Sequence, residues 1–303
     1  MPNSSSTPAR RLFPLPPELL ESARSWVEHG ERTPRKPRYA SSVVLLRDGA
    51  EGPETYLAYR PGSSPLGVVA FPGGSLEASD NDPIGWVGPT PAQWAEAMGL
   101  PDIQLARQHV VAAIRETFEE TGVLLAGPDA SATVEAVQTH EWMKDREALA
   151  MQDMTFAEIL DRRGLLLRTD LLKLLTNWLS PDFAHRRFNT RYFAAALPVN
   201  QTASLLESKG VWGRWVSAAD IIAQRATAAL GDEVGQDNTR GLTLSEITVP
   251  GAEIILEKLS ASRGCIAYLS HKRRSHEHQP RLVVEEGRFL LAVDAMKEAY
   301  KEA

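Results

Sequence analysis

Three apolar runs near the start of the chain predict the first strands. The run YASSVVLLRDG (39–49) ends at Asp-Gly, and ETYLAYR (54–60) follows after a short gap. Two β-rich runs separated by Gly, Pro and Asp predict an antiparallel pair. The third run, LGVVAFPGG (66–74), ends at Pro-Gly-Gly, which breaks regular structure.

The remainder of the chain mixes helical and strand-like patterns without a regular β-α-β order. The patterns predict helices over 103–121, 218–230 and 249–262, a helical region over about 140–179, and strands over 187–198 and 210–217. A mixture of this kind indicates a mixed sheet covered by helices. The sequence therefore predicts an α/β protein.

Prolines and glycines mark the segments outside these elements. Residues 1–37 predict a flexible N-terminal segment that contains a short helix over 17–29. A stretch rich in Pro, Gly and Trp (81–103) predicts an irregular or partly helical insertion. We expect residues 38–303 to form a single domain.

Composition and charge narrow the class of protein. The chain has 303 residues and a formal net charge of -6, which argues against a protein that coats nucleic acid. The only cysteine, Cys265, rules out an internal disulfide and is typical of a small core residue. No apolar run is long enough to span a membrane, and the N-terminus lacks the apolar core of a signal peptide. We expect a cytoplasmic protein without membrane contacts.

The segment AAIRETFEETGVLL (112–125) carries the clearest chemistry. On a helix, Glu116, Glu119 and Glu120 fall within an arc of about 100°. Apolar side chains lie on the opposite side, which predicts a face packed on the core and a face that displays three carboxylates. Gly122 suits a left-handed C-cap that ends the helix.

Three carboxylates on one helix face repel one another, and only Arg115 is near enough to offset them. A hard divalent cation such as Mg²⁺ would neutralise this charge, because it prefers carboxylate oxygens. The alternative is an ordinary acidic helix face in solvent, and the Glu-Glu pair alone favours that alternative.

The upstream segment FPGGSLEASD (71–80) favours the metal site over the solvated helix face. Gly73 and Gly74 allow a tight turn and a close approach of the backbone to a ligand. Together with RETFEETGV, this segment resembles the Nudix box: a Gly, five residues, an acid, seven residues, and then R-E-U-x-E-E-x-G-U, where U is aliphatic. Gly74, Asp80, Arg115 and the three glutamates take the corresponding positions.

The sequence departs from that pattern in three places. Asp80 replaces the usual Glu, Thr117 takes an aliphatic position, and an insertion of about 27 residues (about 81–107) lengthens the spacing. These features resemble the branch of the Nudix hydrolases that includes peroxisomal coenzyme A diphosphatases. NWLSPDFAHRRFNTRYFAAALP (177–198) and ESKGVWGRWVSAADII (207–222) look like two later segments of that branch.

The resemblance implies a Nudix α/β/α sandwich with a mixed β-sheet and extra helical insertions. It also implies a metal site for Mg²⁺ or Mn²⁺ at Glu116, Glu119 and Glu120. Glu119, or an acid from a loop, would take the proton of the attacking water, while Arg115 would orient a carboxylate. The backbone at Gly73 and Gly74 would contribute to the metal and phosphate site.

Several further residues are candidates for binding the substrate. The resemblance places Arg60 on a phosphate of the nucleotide. Arg187 and Arg191 could bind phosphate through paired hydrogen bonds or could instead pair with nearby acids. Glu207 is a candidate acid outside the box, although a solvated acid is the more common case. Trp178, Trp212 and Trp215 could stack on an adenine, but tryptophans in apolar segments more often belong to the core.

The function implied is hydrolysis of coenzyme A or an acyl-coenzyme A to 3',5'-ADP and a phosphopantetheine. A broader diphosphatase for ADP-ribose, NADH or dinucleoside polyphosphates is the first alternative. A non-catalytic Nudix-like module that senses a nucleotide is the second, but it would be expected to lack acids that are present here. The predicted partner is a nucleotide-derived small molecule, and a homodimer is left open.

Overall fold

The computed structural model describes residues 10–30, 32–62, 66–135, 138–206, 210–271, 273 and 275–294. Its strands, numbered along the chain, are β1 Arg10–Pro14, β2 Arg38–Gly49, β3 Gly52–Tyr59, β4 Val69–Ala70, β5 Gly73–Ser75, β6 Trp86–Val87, β7 Ala126–Gly127, β8 Leu166–Arg168, β9 Lys173–Leu179, β10 Phe188–Ala196, β11 Gly213–Ser217, β12 Glu277–His278, β13 Arg281–Glu285 and β14 Arg288–Asp294.

The helices surround these strands. They are α1 Leu20–Glu28, α2 Pro91–Met98, α3 Ile103–Thr121, α4 His140–Ala150, α5 Phe156–Arg162, α6 Ala218–Ala223, α7 Ala229–Val234, α8 Leu244–Ile247, α9 Pro250–Ser260 and α10 Cys265–Ser270. None of the helices in the described ranges is both long and apolar enough to cross a membrane.

The central sheet runs in the order β11-β3-β2-β10-β9-β12, with β4 on β3 and β5 on β2. It is mixed, because β10 lies parallel to β2 and antiparallel to β9. The predicted antiparallel pair is confirmed as β2 and β3, joined by a tight turn where Gly49 pairs with Gly52.

Both faces of the sheet are covered, which makes a sandwich. Val43 and Leu45 of β2 face the layer that contains α2, α3, α4 and α5. Val44 and Leu46 face the layer that contains α8, α9 and α10. A strand buried on both faces needs a continuous apolar run, and the sequence of β2 supplies one. The α/β/α fold class predicted above is therefore confirmed.

Three predicted segments differ from the structure. The predicted helix over 218–230 is divided into α6 (Ala218–Ala223) and α7 (Ala229–Val234). Residues 10–14 are not flexible, because they form β1 and pair with β14 from the other end of the chain. The helical region at 140–179 ends at Arg162, and the remainder contains β8 and β9. Six of the seven residues of β9 pair with β10, with a register shift between Tyr192 and Phe193, and this long-range pairing overrides the local pattern.

The insertion at about 81–107 covers the long helix α3. It contains α2, which starts with a capping box between Thr90 and Gln93 and ends at a left-handed Gly99. Trp94 of α2 packs edge-on against Phe193 of the sheet, with ring centroids 5.9 Å apart. The insertion is thus part of the hydrophobic layer on that face.

Candidate active site

Helix α3 carries four of the predicted site residues, Arg115, Glu116, Glu119 and Glu120. Asp102 caps its start by accepting hydrogen bonds from the backbone N–H groups of Gln104 and Leu105 (2.9 and 3.1 Å). Gly122 ends it with a φ of 71°, as the sequence predicted. These two caps fix the residues at which α3 begins and ends.

The Gly73–Gly74 backbone lies directly against α3. A Cβ atom on Gly74 would collide with the Glu116 carboxylate, and one on Gly73 would collide with the backbone of Ser41 and Ser42. The collision with backbone requires glycine at position 73, whereas the collision at position 74 is with the end of the Glu116 side chain. The close approach brings the turn to the carboxylates.

Glu120 is held by a cation and a backbone amide. Arg60 Nη2 lies 2.7 and 2.8 Å from the two carboxylate oxygens, and the same nitrogen donates to Gly73 O (2.5 Å). Gly73 N–H also donates to Glu120 Oε2 (3.2 Å). The pre-box Arg60 thus reaches the end of α3, more than fifty residues along the chain.

Arg115 connects the two halves of the sequence motif. Its Nε and Nη2 donate to the two oxygens of Asp80 (2.8 and 3.2 Å), and Nη2 also donates to Ser75 O (2.9 Å). Its Nη1 donates to Glu116 Oε1 (2.8 Å) and lies 3.8 Å from a Glu119 oxygen. Arg115 and Asp80 are each about 1% exposed, so the pair is fully buried.

The carboxylates of α3 are far less exposed than an amphipathic helix face implies. Glu116 and Glu119 are 9% and 8% exposed, and the Gly73–Gly74 turn packs directly against the Glu116 carboxylate. Burial raises the pKa of Glu116 to about 7; Arg115 opposes this shift, and the neighbouring Glu120 and Glu119 add to it. Burial also raises the pKa of Glu120, against the opposing charge of Arg60.

The donor set suits a hard divalent cation in its chemistry. Three carboxylates share one helix face without a lysine among them, and burial raises the pKa of Glu116 although the charge of Arg115 opposes it. In the described ranges, however, no three acidic, histidine or cysteine side chains converge as a ready-made cation site. The reason is visible for two of them, since Arg60 engages Glu120 and Arg115 engages Glu116.

Sequence reasoning missed Arg146, a residue of α4 that supports the end of α3. It is buried and donates to Glu119 O (2.7 Å) and Ser204 O (2.8 Å). Burial lowers its pKa to about 10. No local pattern marks this residue, because its partners lie in α3 and in a loop distant along the chain.

The remaining candidates do not join the carboxylates. Arg187 pairs with Asp182 (2.6 Å) and donates to Arg35 O (2.8 Å). Arg191 donates to Met98 O at the end of α2 (2.9 Å). In the structure both therefore make contacts that hold loops and helix ends. Glu207 lies outside the described residues.

A solved NUDIX hydrolase from Alicyclobacillus acidocaldarius has a similar structure. The match has a TM-score of 0.59 at 22% sequence identity and covers 79% of this chain and 98% of that one. This chain has the Nudix hydrolase fold. The Nudix fold thus accounts for the mixed sheet and for a long helix that carries the RETFEETGV segment. No protein-family model and no curated protein matched the sequence.

Two other solved Nudix structures resemble the chain more distantly. A C. elegans Ap4A hydrolase in a binary complex gives a TM-score of 0.31 at 16% identity, over 65% of this chain and 92% of that one. The NUDIX domain of Shewanella oneidensis NrtR, complexed with ADP ribose, gives 0.34 at 12% identity, over 62% and 78%. The fold assignment rests on the Alicyclobacillus structure alone.

Proposed function

We propose that this protein hydrolyses a diphosphate bond in a nucleoside diphosphate derivative, with Mg²⁺ or Mn²⁺, and that its substrate is coenzyme A or an acyl-coenzyme A. The observation that carries the proposal is the position of Glu116, Glu119 and Glu120. All three lie near the end of a largely buried helix, beside a turn in which a Cβ atom on Gly73 would collide with the backbone of Ser41 and Ser42. An acidic helix face in solvent would need neither the burial nor the turn.

Each residue has a part in the proposed chemistry. Glu116, Glu119 and Glu120 would hold the metal ion, which neutralises phosphate oxygens and lowers the pKa of a bound water when present. Glu119 would accept the proton of the attacking water. Arg115 fixes the orientation of Glu116 through the hydrogen bond described above.

Arg60 has a part on the substrate side. It is 19% exposed in its side chain and lies at the carboxylate cluster, so a phosphate at this position would be within its reach. A metal ion that takes over Glu120 would free the guanidinium for two hydrogen bonds to phosphate oxygens. Arg60 would then exchange one anionic partner for another.

The coenzyme A substrate rests on the resemblance of the box insertion, Asp80 and the two later segments to the coenzyme A-cleaving branch. A panel assay tests it. The protein is incubated with Mg²⁺ or Mn²⁺ and coenzyme A, ADP-ribose, NADH, diadenosine polyphosphates or nucleoside triphosphates, and the products are identified by mass. We expect 3',5'-ADP from coenzyme A to form faster than AMP from the other compounds.

Other results of the panel have distinct meanings. Preferred cleavage of ADP-ribose, NADH or a dinucleoside polyphosphate would overturn the coenzyme A substrate and keep the diphosphatase. The absence of any cleavage by folded protein with metal would overturn the enzyme and favour a nucleotide-sensing module.

Matched variants test the residues. Glu119→Gln and Glu120→Gln should lower kcat by at least a hundredfold while the fold is retained, as circular dichroism would show. Glu96→Gln on α2, which is exposed, serves as the control and should turn over like the parent protein. Unchanged turnover in the two site variants would contradict the metal-site assignment.

A further inference from the structure

A single nitrogen of Arg60 makes every hydrogen bond of this guanidinium in the described part of the chain. Nη2 lies 2.7 and 2.8 Å from the two oxygens of Glu120, 2.5 Å from Gly73 O and 3.4 Å from Phe71 O. Four oxygens thus share a nitrogen that carries two protons. The paired donors with which an arginine usually binds a carboxylate or a phosphate are not used as a pair here.

The other two nitrogens of Arg60 have no hydrogen-bond partner among the described residues. Of these two, only Nε is buried, and the Arg60 side chain as a whole is 19% exposed. Nη1 therefore reaches the surface of the protein. It is an accessible donor without a partner, and it lies next to the nitrogen that contacts Glu120.

The backbone holds Arg60 in place, so a change of partner requires movement of the side chain alone. The N–H of Arg60 donates to Val68 O (2.8 Å), and the N–H of Tyr59 donates to Trp212 O (2.9 Å). Rotation about side-chain bonds is enough to separate Nη2 from Glu120, because the guanidinium is at the end of a flexible side chain.

The ion pair limits what Arg60 can offer to a phosphate. A contact through two hydrogen bonds needs two adjacent donors, and Nη1 with Nη2 is the pair that includes the accessible nitrogen. Glu120 occupies Nη2, and its negative charge would lie against the phosphate. While the pair is formed, a phosphate therefore gains one hydrogen bond, from Nη1, and is repelled by the carboxylate.

We propose that the Arg60–Glu120 pair is an inhibitory latch on a phosphate subsite, and that the subsite is fully formed only when Glu120 releases Nη2. A divalent cation that takes Glu120 would open the latch, so the cation and the phosphate-bearing substrate would bind with positive cooperativity. This inference rests on the proposed function for the identity of both ligands. It adds that each ligand is bound more weakly when the other is absent.

Calorimetry in the presence of EDTA tests the latch without a cation and without turnover. Binding of adenosine 5'-diphosphate is measured for the parent protein, Glu120→Gln and Glu119→Gln. Both substitutions remove one negative charge from the same turn of α3, but only Glu120 is an ion-pair partner of Arg60. We expect Glu120→Gln to bind adenosine 5'-diphosphate about tenfold more tightly than the parent, and Glu119→Gln no more than about threefold more tightly. Combining Arg60→Gln with Glu120→Gln should abolish the gain.

An equal gain in Glu119→Gln and Glu120→Gln would overturn the inference, because it would show a general effect of charge. The absence of a gain in Glu120→Gln, or a gain that the double variant keeps, would overturn it as well. If Glu120→Gln does not fold, Glu120→Ala removes the same partner of Arg60 and takes its place in the comparison. The result is independent of the proposed function, because a protein that cleaves no compound of the panel can still show the latch, and a failed latch leaves the panel result unchanged.

Discussion

Arg60 and Glu120 form an ion pair in which one guanidinium nitrogen lies within 2.8 Å of both carboxylate oxygens. The two residues are brought together by the Gly73 backbone, which accepts from Arg60 and donates to Glu120. The pair is only partly exposed, with side chains 19% and 17% accessible. An internal cation thus occupies a carboxylate that the proposed function assigns to a metal ion.

We expect Arg60→Gln to bind Mn²⁺ more tightly than the parent protein. The substitution removes a positive charge and a competitor for Glu120, and a charge within a few ångströms contributes several-fold to ion affinity. A thermal-shift titration with Mn²⁺ should reach its midpoint at a concentration at least threefold lower. Arg47→Gln, which removes an exposed partner of Glu54, should leave the midpoint in place. A midpoint unchanged in both variants would contradict competition at Glu120.

Breaking the buried ion pair of Arg115 and Asp80 is expected to lower the free energy of unfolding. Asp80→Asn would remove one of the two carboxylates in direct contact with the buried Arg115 guanidinium, and breaking such a pair costs up to about 3–5 kcal/mol. Urea unfolding should show a loss of this order. Asp82→Asn, two residues away on a more exposed side chain, is the control and should change stability by less than about 0.5 kcal/mol. Equal stability of the two variants would show that the pair is not structurally important.

The buried carboxylate of Glu116, which is assigned to metal binding, is expected to lower the stability of the metal-free protein when it is ionised. Its folded pKa of about 7 lies above the ordinary 4.5, so ionisation as pH rises through this window destabilises the folded, metal-free protein. At pH 8, Glu116→Gln should therefore raise the free energy of unfolding without metal by about 1–2 kcal/mol.

At pH 4 the effect of Glu116→Gln should vanish, because the carboxyl is then protonated in the folded protein. The same variant should lose most of the stabilisation that Mg²⁺ gives the parent. Unfolding followed at both pH values, with and without Mg²⁺, checks these outcomes. A variant less stable than the parent at pH 8 would contradict them.

His109 predicts a loss of stability in mild acid. It is buried on α3, and burial, together with the charge of Arg191, lowers its pKa to about 3. Between pH 6.5 and about 3 the unfolded chain binds a proton that the folded protein excludes. The free energy of unfolding should therefore fall with decreasing pH, by at most about 1.4 kcal/mol per unit from this residue.

Urea unfolding at pH 7 and pH 5 checks this linkage. His109→Gln should reduce the difference between the two pH values by about 2 kcal/mol at most. His140→Gln, at an exposed position at the start of α4, should leave the difference as in the parent. An undiminished difference in His109→Gln would assign the acid sensitivity to other groups.

The sequence was sufficient to predict those elements whose structure depends only on residues that are neighbours along the chain. Periodicity located the β2–β3 hairpin, the span of α3 from Ile103 to Thr121 and its end at Gly122. These features follow from helix geometry, capping and turn chemistry, all of which act within a few residues. The resemblance of FPGG and RETFEETGV to the Nudix box also implied that the glycine turn and the glutamates belong to one site.

Only the tertiary structure decided which long-range partners those residues take. The amphipathic pattern predicted a helix face that displays three carboxylates, but Glu116 and Glu119 are buried in the structure. It also could not show that Arg60 binds Glu120, that Arg146 supports the end of α3, or that residues 10–14 pair with β14. Such partners are fixed by the packing of distant segments, and the free energy of that packing depends on the complete fold and not on any local window of sequence.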